Sequence, residues 1–228
     1  PRTVWRSDGT PTGTFPLGSV SGPANPDNLA AIRGDLYFTA EDAGFGRELF
    51  RVDPLDQSFV RVTDIAPGPA SSSPMALIDV AGTLYFSADD GFSGRELWAV
   101  SDGHPGGPVF RVADIYPGPG SSHPEDLFEV GGTLFFTADG PLGAEMWRSD
   151  GTEAGAQIVH DLEGGPASSH PGEYTPIVSA AGTDIFFAAT TTAEGRELRI
   201  LRNLRPIADA GPDVAIAFLT QRSVANRA

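Results

Sequence analysis

The chain has 228 residues, a formal net charge of −15 and no cysteine, and arginine supplies all of its 15 basic residues. The acidic balance argues against nucleic acid as a partner, and the missing Cys and Lys exclude disulfides, thiol nucleophiles, Cys-ligated metals, Schiff-base chemistry and the phosphate-binding P-loop. With 28 glycines and 20 prolines, a residue hostile to helix interiors falls about every five positions, so an all-β chain is expected.

In chain order, one apolar triplet recurs as LYF from Leu36, LYF from Leu84, LFF from Leu134 and IFF from Ile185, at steps of 48, 50 and 51 residues. GRELF from Gly46, GRELW from Gly94, GAEMW from Gly143 and GRELR from Gly195 keep the same period, as do DIAPGPASSSP from Asp64, DIYPGPGSSHP from Asp114 and DLEGGPASSHP from Asp161. Three markers in register define a sequence repeat. The middle repeat reads as four strands over 75–80, 83–88, 95–100 and 109–115, joined by tight turns at Ala81-Gly82 and Ser101-Asp102-Gly103, with the acidic loop Asp89-Asp90-Gly91 between the second and third. The first repeat places strands near 29–40, 47–52 and 58–65. Pro117-Gly118-Pro119 breaks the sheet before the next repeat. The amino-terminal strands, 4–6 and about 14–17, correspond to a third and fourth strand, and the last repeat supplies a first, second and third from about Tyr174 to Leu201.

Apolar triplets at consecutive positions predict second strands buried on both faces. Four-stranded sheets of 48–51 residues, each sandwiched between neighbours, describe a β-propeller of about four blades. Both ends of the chain read as cuts through a larger propeller. Blade faces left uncovered would favour self-association. The third-strand aromatics Phe50, Trp98 and Trp147 are expected between blades.

WRSDGTPTGT from Trp5 and WRSDGTEAG from Trp147, with the GRELW and DIxPGxxSSxP segments, resemble the bacterial ELWxxDGT repeat family. The resemblance covers residues 4 to about 200. It implies a propeller in a large secreted or cell-surface protein and brings no general catalytic activity with it; a scaffold or adhesion module that binds protein or glycan is the leading expectation. Phe50 lacks the DGT turn, Trp98 reaches its Asp-Gly one residue late, and Arg199 replaces the aromatic, a change expected of a terminal repeat with a polar outer face. After residue 202, the run Pro206 to Asp213 resembles the opening strand of PKD-type modules, which divides the chain into repeats over 1–202 and a linker with a truncated PKD-like start over 203–228.

Repetition separates packing groups from catalytic ones, because a catalytic group is needed once. Glu48, Glu96, Glu145 and Glu197 recur at one position, either as a carboxylate ring around a central channel or, the favoured reading, as acceptors for loop N–H groups or partners of arginines. Arg47, Arg95 and Arg196 precede three of them and point to the opposite face, so such pairs would form between blades. Asp42, Asp89, Asp90 and Asp139 follow the second strands; as a set they are the candidate calcium ligands, with solvated turn residues the favoured reading because no EF-hand-like run is present. Asp64, Asp114 and Asp161 and the serine pairs 71–72, 121–122 and 168–169 read as loop-stabilising groups. His104, His123, His160 and His170 read as surface loop residues, since no serine sits in a G-x-S-x-G elbow and no H-E-x-x-H is present. The Ser-Asp-Gly-Thr turn resembles the Asp-box of sialidase-type propellers in location, where it is structural.

A non-catalytic scaffold is therefore expected. The alternatives are a glycoside hydrolase or lyase with its site in the central channel, and a calcium-stabilised structural repeat. A catalytic or binding site should stand out as a cluster of non-repeating residues, with Tyr116, His123, His160 and Tyr174 the candidates. No apolar run is long enough for a membrane span.

Overall fold

The computed structural model describes residues 2–18, 22–101, 107–152, 155–179 and 182–204. His104, the Asp102-Gly103 turn and the PKD-like segment lie outside the described residues. Seventeen strands and no α-helix are found among those described. A short hairpin, β1 (Trp5–Arg6) and β2 (Phe15–Pro16), precedes three antiparallel four-stranded sheets. The first comprises β3 (Ala24–Ile32), β4 (Asp35–Asp42), β5 (Gly46–Val52) and β6 (Phe59–Arg61). The second comprises β7 (Met75–Val80), β8 (Thr83–Asp89), β9 (Arg95–Val100) and β10 (Val109–Ala113). The third comprises β11 (Glu125–Val130), β12 (Thr133–Gly140), β13 (Gly143–Ser149) and β14 (Gln157–His160). The last sheet has three strands, β15 (Gly172–Ser179), β16 (Gly182–Thr191) and β17 (Gly195–Leu204). Each sheet is a blade, and β3, β7, β11 and β15 contact one another in succession. The expected all-β propeller is the observed fold.

Alternating side chains explain why the second strands are apolar at consecutive positions. Along β4, Phe38 joins Val4, Leu17 and Phe50 on the side of the amino-terminal hairpin, whereas Tyr37 joins Leu84, Phe86 and Val100 of the second blade. Along β8, Phe86 turns back to the first blade and Tyr85 forward to Leu134 and Phe136 of the third. Phe136 and Phe135 repeat the division around β12. Each fully buried ring contributes about 1.5–3 kcal/mol relative to its exposed state, so every blade depends on both neighbours.

The third-strand aromatics face the preceding blade. Phe50 is buried, as expected, but Trp98 and Trp147 are only partly buried. Their indoles pack at the margin of the interblade clusters, and Trp147 Nε1 donates to the Ala138 carbonyl at 3.2 Å. Arg199 pairs with Phe187 as Trp98 pairs with Phe86 and Trp147 with Phe136. It is 5 % exposed and lines a cleft with His160 and Leu162 of the preceding blade, so the expected polar outer face is instead a polar interblade position.

Each first strand begins with a bulge. Ser73, His123 and His170 take left-handed backbone angles (φ 46°, 45° and 43°) just before β7, β11 and β15, and Asn25 does so in β3 (φ 51°). Such angles are strained for non-glycine residues and need support from their surroundings. The arginine of GREL provides it: Arg47 donates to the Asn25 carbonyl (3.1 Å), Arg95 to that of Ser73 (3.0 Å) and Arg196 to that of His170 (3.2 Å). These bonds lie within one blade. The expected pairing of these arginines between blades is corrected accordingly, since opposite faces of the third strand send Arg and Glu to different tasks.

Candidate functional site

Three of the four recurring glutamates form a repeated latch. Glu48, Glu96 and Glu145 are completely buried at the start of β5, β9 and β13, beneath the connector that leads to the next blade. Glu48 accepts from Thr63 Oγ1 (2.7 Å), Ile65 N (3.3 Å), Ser72 N (3.1 Å) and Ser72 Oγ (2.7 Å). Glu96 accepts from Ile115 N (2.9 Å), Tyr116 N (3.4 Å), Ser122 N (3.2 Å) and Ser122 Oγ (2.7 Å). Glu145 accepts from Leu162 N (3.4 Å), Ser169 N (2.9 Å) and Ser169 Oγ (2.5 Å). Burial pushes the carboxyls of Glu96 and Glu145 above the ordinary glutamate value, and the serine and backbone donors oppose that rise.

The serine pair completes the latch on both sides. Its first member, Ser71, Ser121 or Ser168, accepts from the backbone N–H of Arg47, Arg95 or Ala144 at 2.9 Å. The carbonyl of its second member accepts from the second strand of the following blade: Asp89 N to Ser72 O (3.0 Å), Asp139 N to Ser122 O (2.7 Å) and Thr190 N to Ser169 O (2.8 Å). One connector thus joins the third strand of one blade to the second strand of the next. The connector passes so close that a Cβ on Gly46, Gly94 or Gly143 would lie 2.1, 2.4 or 2.6 Å from the carbonyl oxygen of Ala70, Gly120 or Ala167.

Glu197 departs from this arrangement. It is exposed, and no described chain passes over Gly195, where a Cβ would meet nothing within 4 Å.

Three of the four second-strand carboxylates bind their own hairpins. Asp42 accepts from Gly44 N (2.8 Å), Asp89 from Gly91 N (2.7 Å), and Asp90 from Phe92 N (2.8 Å) and Ser93 N (2.7 Å). Asp139 faces His123 Nδ1 at 3.2 Å. These four residues are spread over three blades, and among the described residues no three His, Cys, Asp or Glu side chains gather into a metal-binding group. Asp161 caps its connector through Gly164 and Gly165, whereas Asp64 and Asp114 pair with Arg61 and Arg111 at 3.8 and 3.5 Å. The Ser-Asp-Gly-Thr turns are self-contained knots: Asp8 accepts from Thr10 N and Oγ1 (2.9 and 2.7 Å), and Asp150 from Thr152 N and Oγ1 (3.0 and 2.8 Å). Those bonds hold both carboxyls below the ordinary aspartate value.

The four sequence-selected candidates do not converge. Tyr174 is an interblade residue whose hydroxyl lies 2.6 Å from Thr137 Oγ1 and whose ring stacks on Phe128, and burial pushes its phenol upward. Tyr116 and His123 are exposed on the second connector. His160 lines a cleft of about 530 Å³, shared with Leu162, Glu163, Thr191, Thr192, Ala193, Glu194 and Arg199. Sequence reading noticed His160 and Arg199 separately; their neighbours Glu163 and Glu194 could have been found as further departures, standing where earlier repeats carry Tyr116 and Leu142.

No family model matches the chain, and no curated protein matches it. Among solved structures, a prolyl endopeptidase aligns over 87 % of this chain and 28 % of its own, at 13 % identity and a TM-score of 0.54. The likeness is one of fold alone. The isopeptidase AtxE2 aligns over 72 % of this chain and 25 % of its own (12 % identity, TM-score 0.46), so the chain spans about a quarter of the length of each peptidase. An endo-arabinase from Bacteroides thetaiotaomicron VPI-5482 aligns over 82 % and 79 % (14 % identity, TM-score 0.37). No helix among the described residues is long and apolar enough to cross a membrane.

Proposed function

We propose that this chain is a non-catalytic repeat scaffold of the ELWxxDGT kind, in a secreted or cell-surface protein, that presents surface for a protein or glycan ligand. The observation that carries the reading is the latch: the most deeply buried recurring carboxylates are consumed in holding connectors between blades. A glycoside hydrolase would need two carboxylates opposed across a bound sugar. Buried groups saturated by backbone and serine donors do not serve that role.

Two assays test the proposal. Incubation with neutral and acidic oligosaccharides, followed by reducing-end and unsaturated-product measurements, should show no turnover; release of product would replace the scaffold reading with the hydrolase or lyase alternative. Thermal melts in calcium and in chelator should coincide, because a ligand of the folded state alone raises stability as RT ln(1 + [L]/Kd). A melting temperature that climbs with calcium would make Asp42, Asp89, Asp90 and Asp139 ligands and the repeat calcium-stabilised.

A further inference from the structure

In each of the first three blades, one residue of the first strand, one of the second and one of the third point forward to the next blade. They are Ile32, Tyr37 and Leu49 in the first blade, Val80, Tyr85 and Leu97 in the second, and Val130, Phe135 and Met146 in the third, and all of them are buried. The register places Ile177, Phe186 and Leu198 at the same positions of the fourth blade. Ile177 pairs with Asp184 as Val80 pairs with Thr83, Phe186 with Ile200 as Tyr85 with Ala99, and Leu198 with Ala188 as Leu97 with Ser87. Yet Ile177 is 50 % exposed, Leu198 is 65 % exposed and Phe186 is half-buried.

The surface that matches this face lies on the amino-terminal hairpin. Trp5 opens the same WRSDGT run as Trp147 and so stands at the third-strand position of Trp98 and Trp147. Trp98 packs against the cluster that holds Ile32, Tyr37 and Leu49, and Trp147 against the one that holds Val80, Tyr85 and Leu97. The contact between a third-strand indole and a forward-facing apolar trio therefore occurs twice within the molecule. On the hairpin, Val4 turns toward Phe38 of the first blade, so its neighbour Trp5 turns the other way. Trp5 is 60 % exposed. The hairpin and the fourth blade form separate sheets, and within one chain neither covers the exposed residues of the other.

We infer that the forward face of the fourth blade binds the amino-terminal hairpin of a second copy of this chain, with Trp5 of one copy laid against Ile177, Phe186 and Leu198 of the other. Removing these apolar groups from water drives the association, as it does between blades. The partner is a second copy because the surface that fits is one the chain itself carries, as the two internal contacts show. Such an interface joins two different surfaces head to tail, so copies close into a ring or extend in a line instead of stopping at a symmetric pair.

Sedimentation velocity of the full chain, from low to high micromolar concentration, tests the inference. The mass should rise with concentration above that of one chain. Leu198→Arg and Trp5→Asp each spoil one of the two surfaces and should weaken association by at least about tenfold. Their thermal melts should stay near that of the unaltered chain, since both positions are exposed. Mixing the two variants is the decisive step. Leu198→Arg keeps an intact hairpin and Trp5→Asp an intact fourth blade, so the mixture should form a one-to-one dimer that grows no further. Should Trp5→Asp unfold the hairpin, Trp5→Ser removes the indole without adding charge and takes its place in the mixture. A chain that stays monomeric at high micromolar concentration, association that Leu198→Arg leaves unchanged, or a mixture of the two variants that stays monomeric would overturn the inference.

Discussion

The first three blades and the fourth carry nearly the same third-strand sequence, GRELF, GRELW and GAEMW against GRELR, but use it differently. In the first three, a connector lies over the glycine and glutamate, and the carboxylate disappears from solvent. In the fourth, Gly195 keeps the same left-handed angle (φ 76°) and Glu197 the same place, but both face open space among the described residues. The burial of the glutamate therefore follows from the connector rather than from the strand.

The largest expected effect separates Glu96 from Glu197. Glu96→Ala strands four donors in a buried site and should lower stability by about 3 kcal/mol or more, at roughly 1 kcal/mol per unmet donor. Glu197→Ala, at an exposed position, should stay within about 0.5 kcal/mol. Urea unfolding of both variants measures the contrast, and equal losses would erase it.

Glycine offers the next contrast. Both Gly94→Ala and Gly195→Ala incur the left-handed penalty of about 1–2 kcal/mol. Only Gly94→Ala also drives a Cβ to 2.4 Å from the Gly120 carbonyl oxygen, and the overpacking should add about 1–3 kcal/mol. The same unfolding curves report the difference between the two losses.

A smaller effect concerns pH. The carboxyls of Glu96 and Glu145 have folded values above their unfolded one, so the folded state holds more protons. Their contribution to stability is complete below about pH 4.5, the unfolded value, and is lost as pH rises through the elevated folded values. Glu96→Gln cannot titrate. The stability gap between the unaltered chain and Glu96→Gln should therefore narrow from pH 4 to pH 7, as followed by denaturant melts across that range; a gap that widens would reverse the sign.

Much of this was legible in the residues. The triplets Leu36–Phe38 and Leu84–Phe86 announce strands buried on both faces, because no half-exposed strand tolerates three consecutive apolar residues, and strands β7 and β9 fall where the repeat puts them. The recurrence of Glu48, Glu96 and Glu145 at one repeat position pointed to structural acceptors. What stayed hidden was distance in three dimensions. Sequence places Glu96 and Ser122 26 residues apart, and only the folded connector reveals that one carboxylate takes both the backbone and the hydroxyl of that serine. The arginines were assigned to the wrong neighbours for a related reason: the left-handed residue Ser73, whose carbonyl Arg95 caps, has no glycine to announce it. Arg199 was legible as a departure but not as a cleft, since its walls come from two blades.

The latch is tested most directly by a double-mutant cycle on Glu96 and Ser122, measured by urea unfolding of the single variants Glu96→Ala and Ser122→Ala and of the pair. Their side chains meet at 2.7 Å in a fully buried site. The account predicts a coupling of about 1.5–3 kcal/mol, the range for a buried hydrogen bond to a charged group. Additive losses, with a coupling below about 0.5 kcal/mol, would contradict the claim that this carboxylate and this serine act as one joint between consecutive blades.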